Sequence, residues 1–226
     1  MNEAEGIRLD SVSRHYTTPA GLVRAVDGIT LEVEPGTSLA IMGPSGCGKS
    51  TVLGLIAGLE APTAGSVSVC GRAISRLQDA QRARLRRYEL GLVFQSDNLL
   101  PFLTAVENVS LQLALRAAGD GFEQAVALLA KLGLAGEADK LPDQLSGGQR
   151  QRVAVARAVV HQPSVILADE PTGSLDADNS TAVLDLLLAA QRESGATLVV
   201  VTHDPVVARR LDRTVRLRDG RLADDA

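Results

Sequence analysis

The chain has 226 residues, of which 45% are hydrophobic and 2% aromatic, and its 23 basic and 27 acidic side chains give a formal net charge of −4. A chain of this length and apolar content can bury a substantial core, which argues against a disordered protein. The small net charge and the few aromatic residues argue against a nucleic-acid partner. No apolar run approaches the ~18 residues that span a bilayer, and the N-terminus lacks the order of a signal peptide. We therefore expect a soluble, cytosolic globular protein.

Alternation of apolar and polar residues predicts antiparallel strands near the N-terminus. The alternation runs through residues 7–10, 29–34 and 67–69, and Pro35-Gly36 predicts a turn. Period two with polar partners is typical of strands that are solvated on one face. Residues 215–217 repeat it before a predicted hairpin turn at Asp219-Gly220.

Four short, continuous apolar runs predict parallel strands that are covered on both faces. These runs are residues 39–42, 91–94, 165–168 and 198–201. Helical spacing of apolar residues lies between them. It is clearest at Phe122, Ala125, Val126 and Leu129, and at Val183, Leu186, Leu187 and Ala190. We expect an α/β protein with a parallel core, a small antiparallel section near the N-terminus and a mostly helical insert over about 97–160, all within a single domain over 1–226.

Residues 43–50, Gly-Pro-Ser-Gly-Cys-Gly-Lys-Ser, have the spacing G-x-x-x-x-G-K-[ST] of a phosphate-binding loop. They lie between a predicted buried strand and an apolar helix, where backbone N–H groups and the helix dipole converge on phosphate oxygens. Lys49 would place its charge on the β- and γ-phosphates, and Ser50 would offer a hydroxyl to Mg²⁺. The Lys-Ser ending disfavours the alternative of a glycine-rich turn without a ligand. No Asn-Lys-x-Asp stretch is present to bind guanine, which argues against a GTPase.

Polar side chains follow three of the predicted strands. Asp169 would hold Mg²⁺, directly or through water, and Glu170 would act as the general base on the attacking water. Neighbouring residues of a strand point to opposite faces, but both can reach one ligand here because the chain turns at the strand end. His203 and Gln95 end two other strands, at the edge where open α/β sheets bind ligands. A lone histidine there is more often structural, and the amide of Gln95 would bind metal or water.

The segment Leu145–Gln149, Leu-Ser-Gly-Gly-Gln, predicts a second helix start that suits an anion. Ser146 is a natural N-cap, and Gly147 and Gly148 expose backbone N–H groups. An ordinary serine-capped helix with a glycine-rich entry is the alternative.

In this order the motifs resemble the ATP-binding-cassette family over nearly all of residues 7–222. Leu145–Gln149 is similar to the family's signature motif, Gln95 to its Q-loop, Ser174–Asp176 to its D-loop, His203 to its switch histidine and Tyr16 to the aromatic residue that stacks on adenine. The resemblance implies a P-loop NTPase core with a parallel sheet, an N-terminal antiparallel β subdomain and an inserted α-helical subdomain.

The resemblance also implies an ATPase that uses Mg²⁺ and works as a head-to-tail dimer. ATP bound by one copy would be covered by the signature motif of the other, so that ATP binding closes the dimer and hydrolysis opens it. The implied catalytic residues are Glu170, His203 and Gln95, and the implied metal ligands are Ser50, Gln95 and Asp169. The implied nucleotide contacts are Tyr16, Gly43, Pro44, Ser45, Gly46, Cys47, Gly48, Lys49, Ser50, Thr51, Ser146, Gly147, Gly148, Gln149 and Asp176.

Three stretches resemble the branch of macrolide exporters and lipoprotein-release systems: the insert between Tyr16 and Ala25, residues 94–108, and residues 169–173. This resemblance implies a subunit at the cytoplasmic face of the membrane that powers a separate four-span permease. The permease would export or extract a hydrophobic or amphipathic substrate such as haem, a drug, a peptide or a lipoprotein. The alternatives are a non-transport cassette ATPase of cell division, repair or translation, and a soluble phosphotransferase, which would leave Leu145–Gln149 unexplained.

Overall fold

The computed structural model describes residues 6–19, 21–116 and 121–223. The chain divides into two compact units, Met1–Arg86 with Thr197–Ala226, and Arg87–Ala196. The single domain with a helical insert over about 97–160 stays a prediction. Among the described helices, none has both the length and the apolar character that a membrane crossing requires.

The helices and strands alternate along most of the chain. In chain order they are β1 (Ile7–Thr18), β2 (Gly21–Val33), β3 (Ser38–Met42), α1 (Lys49–Ile56), β4 (Ala64–Val69), β5 (Arg72–Ala73), α2 (Asp79–Glu89), β6 (Leu90–Val93), α3 (Ala105–Ala114), α4 (Phe122–Lys131), α5 (Gly147–Val159), β7 (Val165–Asp169), α6 (Ala177–Ser194), β8 (Thr197–Thr202), α7 (Pro205–Ala208), β9 (Arg213–Arg218) and β10 (Arg221–Ala223). Short 3-10 turns lie at Ile74–Arg76, Ala135–Glu137 and Pro142–Gln144.

The first unit contains the predicted antiparallel section. Its strands lie in the order β2-β1-β4-β5, and each neighbouring pair is antiparallel. Ile7 and Leu9 are buried, whereas Arg8 and Asp10 are exposed. The period-two alternation therefore predicted both the strands and their buried face correctly.

The first unit also contains parallel strands. Strand β3 pairs in parallel with both β8 and β9, and β10 folds back antiparallel to β9. All six residues of β8 and four of the five residues of β3 are buried. This burial confirms the prediction, made from the continuous apolar runs, that these strands are covered on both faces.

The second unit combines the parallel pair β6 and β7 with helices that share an apolar cluster. Ala125 and Leu129 of α4 are buried in this cluster, as their spacing predicts. Phe122 and Val126, which were expected on the same buried face, are 45% and 38% exposed. The buried stripe of α4 is narrower than its apolar pattern, because only the side that carries Ala125 and Leu129 packs on the cluster of α3 and α5.

A buried asparagine fixes the loop that precedes α3. The side-chain amide of Asn108 donates to the carbonyl oxygens of Leu100, Leu103 and Thr104 and accepts from the Leu100 N–H. Thr104 caps α3 and forms a reciprocal capping box with Glu107. Part of the stretch 94–108 that resembles the exporter branch is therefore needed for the conformation of this loop.

The burial of His161, which follows α5, predicts a pH-dependent stability. The residue is 6% exposed, and its Nε2 lies 3.2 Å from the Leu90 carbonyl oxygen. Burial, and then the nearby Arg116 guanidinium, lower the pKa of His161 to about 4. The fold therefore favours the neutral ring, and its stabilising effect is complete above the unfolded-state pKa of about 6.5. As pH falls from about 6.5 towards 4, we expect a loss on the order of 3 kcal/mol in the free energy of unfolding.

The comparison of His161→Gln with the parent chain tests this expectation. Glutamine keeps an N–H donor but does not titrate, so the loss of stability between pH 7 and pH 4.5 should shrink by about 2 kcal/mol. Denaturant unfolding at the two pH values measures the free energy of unfolding of each protein. An equal pH dependence in both proteins would contradict the assignment of this effect to His161.

Candidate active site

The phosphate loop, residues 43–50, connects β3 to α1, as the motif predicts. Gly48 immediately precedes α1 with a φ of 105°, in the left-handed region that favours glycine. A Cβ at Gly48 would overlap the carbonyl oxygen of Ala25 on β2. Glycine is therefore required at position 48 for two reasons, its φ and the lack of space for a Cβ. It leaves the N-cap of α1 without a capping side chain, which suits an anion-binding helix start.

Lys49 lies over the phosphate loop that it follows. Its side chain is largely buried, and Nζ donates to the carbonyl oxygens of Gly43 at 2.8 Å and Pro44 at 3.0 Å. These two bonds hold the ammonium group against the curve of the loop. The positive charge is thus already in place for an anionic ligand.

The turn between β9 and β10 supports the phosphate loop. The Gly220 N–H donates to the Cys47 carbonyl at 3.0 Å, and the Asp27 N–H donates to the Gly220 carbonyl at 2.8 Å. The turn and β2 are thereby joined to the loop by backbone bonds. Sequence patterns indicated a hairpin turn at Gly220 but not this supporting role, because a backbone contact between distant residues leaves no local signal.

Two further predicted residues belong to the first unit. Tyr16 lies on β1 opposite Val23 of β2, and its hydroxyl donates to the Glu60 carboxylate. His203 follows the end of β8 and is exposed, and Asp204 caps the short helix α7. The strand-end position predicted for His203 is confirmed, whereas its catalytic role stays a prediction.

In the second unit, Gln95 and Asp169 line the same cleft. The cleft has a volume of about 560 Å³ and is lined by Phe94, Gln95, Ser96, Asp169 and Ser174. Strands β6 and β7 are parallel, so they end at the same edge and bring both side chains there. Amide and carboxylate oxygens are donors that Mg²⁺ accepts.

Glu170 lies where the chain leaves β7. Its φ is +44°, and the Gly173 N–H donates to its carbonyl at 3.1 Å. A non-glycine residue in this region is strained, and such strain clusters at functional sites. The turn agrees with the expectation that Asp169 and Glu170 do not follow strand alternation.

Leu145–Gln149, the signature-like segment, forms a capped helix start. The Ser146 hydroxyl accepts from the Gln149 N–H at 3.2 Å, and the Gln149 side-chain oxygen accepts from the Ser146 N–H at 2.8 Å. This reciprocal capping box confirms Ser146 as the N-cap. Gly147 and Gly148 are the first helical residues of α5.

Asn179 links this helix start to the D-loop-like residue Asp176. Its Nδ2 donates to Asp176 Oδ2 at 2.7 Å, and its Oδ1 accepts from Arg152 of α5 at 3.1 Å. The backbone N–H of Asn179 also donates to Asp176, and these bonds hold the pKa of Asp176 below its usual range. Gly148 lies so close that a Cβ there would overlap the Asn179 amide. No sequence motif pointed to Asn179.

This close approach predicts that an alanine at position 148 destabilises the fold more than an alanine at position 147. Gly148→Ala should lower the free energy of unfolding by about 1–3 kcal/mol, the range for overpacking. Gly147→Ala is the matched control, because the nearest atom to its new Cβ would be 3.9 Å away. Adding Asn179→Ala to Gly148→Ala should recover part of the loss. Denaturant unfolding of the parent chain and the three variants measures the free energies of unfolding. Equal effects of the two glycine substitutions would contradict the predicted overlap.

Proteins of similar sequence point to one family. Residues 26–173 match the family model described as ABC transporter. An ABC transporter ATP-binding protein of Mycobacterium tuberculosis is 43% identical over 98% of this chain and 90% of its own length. The lipoprotein-releasing system ATP-binding protein LolD of Xanthomonas oryzae is 45% identical over 96% of this chain and 90% of its own length. The macrolide export ATP-binding/permease protein MacB of Syntrophobacter fumaroxidans is 44% identical over 95% of this chain, which corresponds to 30% of that longer protein.

Solved structures agree. The dimeric ATP-binding cassette MJ0796, in a post-hydrolysis state with ADP and Pi, has a TM-score of 0.91 and 39% identity and covers 97% of both chains. A second dimeric structure of that cassette has a TM-score of 0.90. These likenesses confirm the predicted fold class. The chain therefore belongs to the ABC transporter family, as an ATP-hydrolysing nucleotide-binding subunit of the branch that contains the lipoprotein-release and macrolide-export ATP-binding proteins.

Proposed function

We propose that this ATPase works at the cytoplasmic face of a membrane, where ATP hydrolysis powers a separate integral-membrane permease. The observation that carries the nucleotide site is the phosphate loop itself. Gly48 leaves the start of α1 without a capping side chain, and Lys49 is held over the Gly43 and Pro44 carbonyls. The loop N–H groups and the ammonium together would bind the triphosphate.

Each unit carries oxygen donors that suit Mg²⁺. Gln95 and Asp169 line one cleft, and Ser50 in the first turn of α1 would supply a hydroxyl oxygen. When bound, the ion would neutralise charge on the β- and γ-phosphates. Gln95 and Asp169 would hold their side-chain oxygens towards the ion, because both residues lie at or just after the end of a buried strand.

Glu170 is the candidate general base. The left-handed turn after β7 takes this carboxylate out of the strand alternation, which supports its access to the same ligand as Asp169. It would accept a proton from the attacking water. His203 and Gln95 would orient the water and the γ-phosphate from the ends of β8 and β6.

A second copy of the chain would complete each site. The capped helix start at Ser146–Gln149 would cover the ATP held by Gly43–Thr51 of the other copy, and Asp176 would lie beside it. The dimeric form of the similar cassette supports a dimer of this chain. The head-to-tail arrangement is implied by the family resemblance. ATP would then bring the two copies together, and its hydrolysis would release them.

The relatives support a transport role. MacB is named as an ATP-binding/permease protein and is much longer than this chain, whereas LolD is named as an ATP-binding protein and is matched over 90% of its length. The name of LolD, an ATP-binding protein, favours a permease on a separate polypeptide, and the family resemblance implies four spans. Its substrate would be hydrophobic or amphipathic, such as haem, a drug, a peptide or a lipoprotein. Co-purification of an integral membrane protein with this chain tests the transport role against the non-transport alternative.

Glu170→Gln tests the catalytic assignment. Glutamine keeps the size and hydrogen bonding of the side chain but removes the base, so turnover should fall by ~10²–10⁴. ATP binding should survive, and an ATP-bound dimer should accumulate. Steady-state ATPase assays and size-exclusion chromatography with MgATP measure both effects.

Glu193→Gln on the exposed side of α6 is the matched control and should hydrolyse ATP at the parental rate. If Glu170→Gln also hydrolysed ATP at the parental rate, Glu170 would not be the general base.

A further inference from the structure

Arg14, Tyr16 and Glu60 form a cluster of three side chains in the first unit. The Tyr16 hydroxyl donates to Glu60 Oε2, and Arg14 Nε donates to the same oxygen at 3.1 Å. The guanidinium carbon of Arg14 lies over the Tyr16 ring, 4.6 Å from its centroid. The phenol is therefore fixed at its hydroxyl and covered on one face by a cation.

Glu60 also connects Tyr16 to the helix that the phosphate loop begins. The backbone N–H groups of Leu59 and Glu60 donate to the Gly54 carbonyl of α1, at 2.9 and 3.3 Å. Three residues later, the Thr63 N–H donates to the Ser13 carbonyl of β1 at 2.7 Å. The segment that carries Glu60 thus joins the end of α1 to the strand that carries Tyr16.

The ion pair alone does not account for this arrangement. The side chains of Arg14 and Glu60 are 29% and 31% exposed, and ion pairs that reach solvent stabilise a fold only slightly. The cluster leaves Tyr16 partly exposed, and Val23, its cross-strand neighbour, is 48% exposed. An aromatic ring that is held rigidly while part of it stays open suits a flat ligand.

We propose that Glu60 and Arg14 are positioning residues for the nucleotide base: they hold the Tyr16 ring at a fixed place relative to α1, with Arg14 over one face and adenine stacking on the other. The inference rests on the proposed function, because it needs ATP at the phosphate loop. A ring held in place before binding loses less rotational freedom when the base stacks on it. Immobilising one free side chain costs an amount equivalent to about 3- to 10-fold in affinity.

Substitutions at both ends of the Tyr16–Glu60 hydrogen bond test the proposal. Glu60→Ala should raise the Kd for MgATP about 3- to 10-fold, leave kcat at saturating ATP unchanged, and leave the affinity for inorganic triphosphate unchanged. Glu60→Gln should lie close to the parent, since its amide oxygen can still accept from the hydroxyl. Tyr16→Phe keeps the ring and loses the donor, so it should match Glu60→Ala, and the double variant should be no worse than either single one. Glu34→Ala, an exposed glutamate before β3, is the matched control.

Tyrosine fluorescence gives a readout that a merely structural role would not change. The chain has no Trp and two Tyr, so Tyr88→Phe leaves Tyr16 as its single emitter. A carboxylate that accepts from a phenol quenches its emission, and adding Glu60→Ala should therefore brighten Tyr16 in the nucleotide-free protein. MgATP should change the Tyr16 emission, whereas inorganic triphosphate should not.

The outcomes separate this inference from the function on which it rests. A parent chain that binds no MgATP would overturn both. A parent that binds MgATP while Glu60→Ala and Tyr16→Phe bind it equally well would overturn the inference alone. Equal losses of affinity for MgATP and inorganic triphosphate would also overturn it, because Glu60 would then act through the phosphate loop and not through the base.

Discussion

The close approach of β2 to the phosphate loop is the constraint on which the nucleotide site depends. Because the Ala25 carbonyl lies where a side chain at position 48 would be, glycine is required at the N-cap of α1, and the helix start is left without a capping side chain. The Gly220 N–H fixes the same loop through the Cys47 carbonyl. Helix α1 follows this turn, with the Lys49 ammonium bound to the loop at its start and the backbone of Glu60 bound to the Gly54 carbonyl near its end.

The helix start of α5 in the second unit is held by side chains, whereas the phosphate loop in the first unit is held by backbone contacts. The start of α5 is capped by its own Ser146 and Gln149, and Asn179 fills the space that Gly148 leaves open. Asn179 also binds Asp176, so the two segments that resemble the signature motif and the D-loop are joined within one unit by a single amide. The hydrogen bonds that join the two segments are 2.7–3.1 Å long.

Most elements of the fold and the main motifs could be predicted because their signals are local. Burial on one or both faces appears as alternation or as a continuous apolar run, and the phosphate loop and the turn at Glu170 occupy a few consecutive residues. Tyr16 lies 44 positions from Glu60, and Arg152 lies 27 positions from Asn179. One carboxylate or amide on a helix or loop carries no pattern of its own. Phe122 was misjudged for a related reason: helical spacing predicts an apolar stripe but not how much of its width a neighbouring helix covers.

The central claim is that one catalytic site is built from two copies of the chain. Ser146→Arg should block the approach of α5 to the partner's ATP, and Lys49→Ala should weaken the triphosphate site, so neither variant alone should hydrolyse ATP. In a mixed dimer, one composite site carries both substitutions and the other carries neither. ATPase activity should therefore return when the two variants are mixed. Complete inactivity of the mixture, with mixed dimers demonstrated by differently tagged chains, would contradict the account and place the whole site within a single chain.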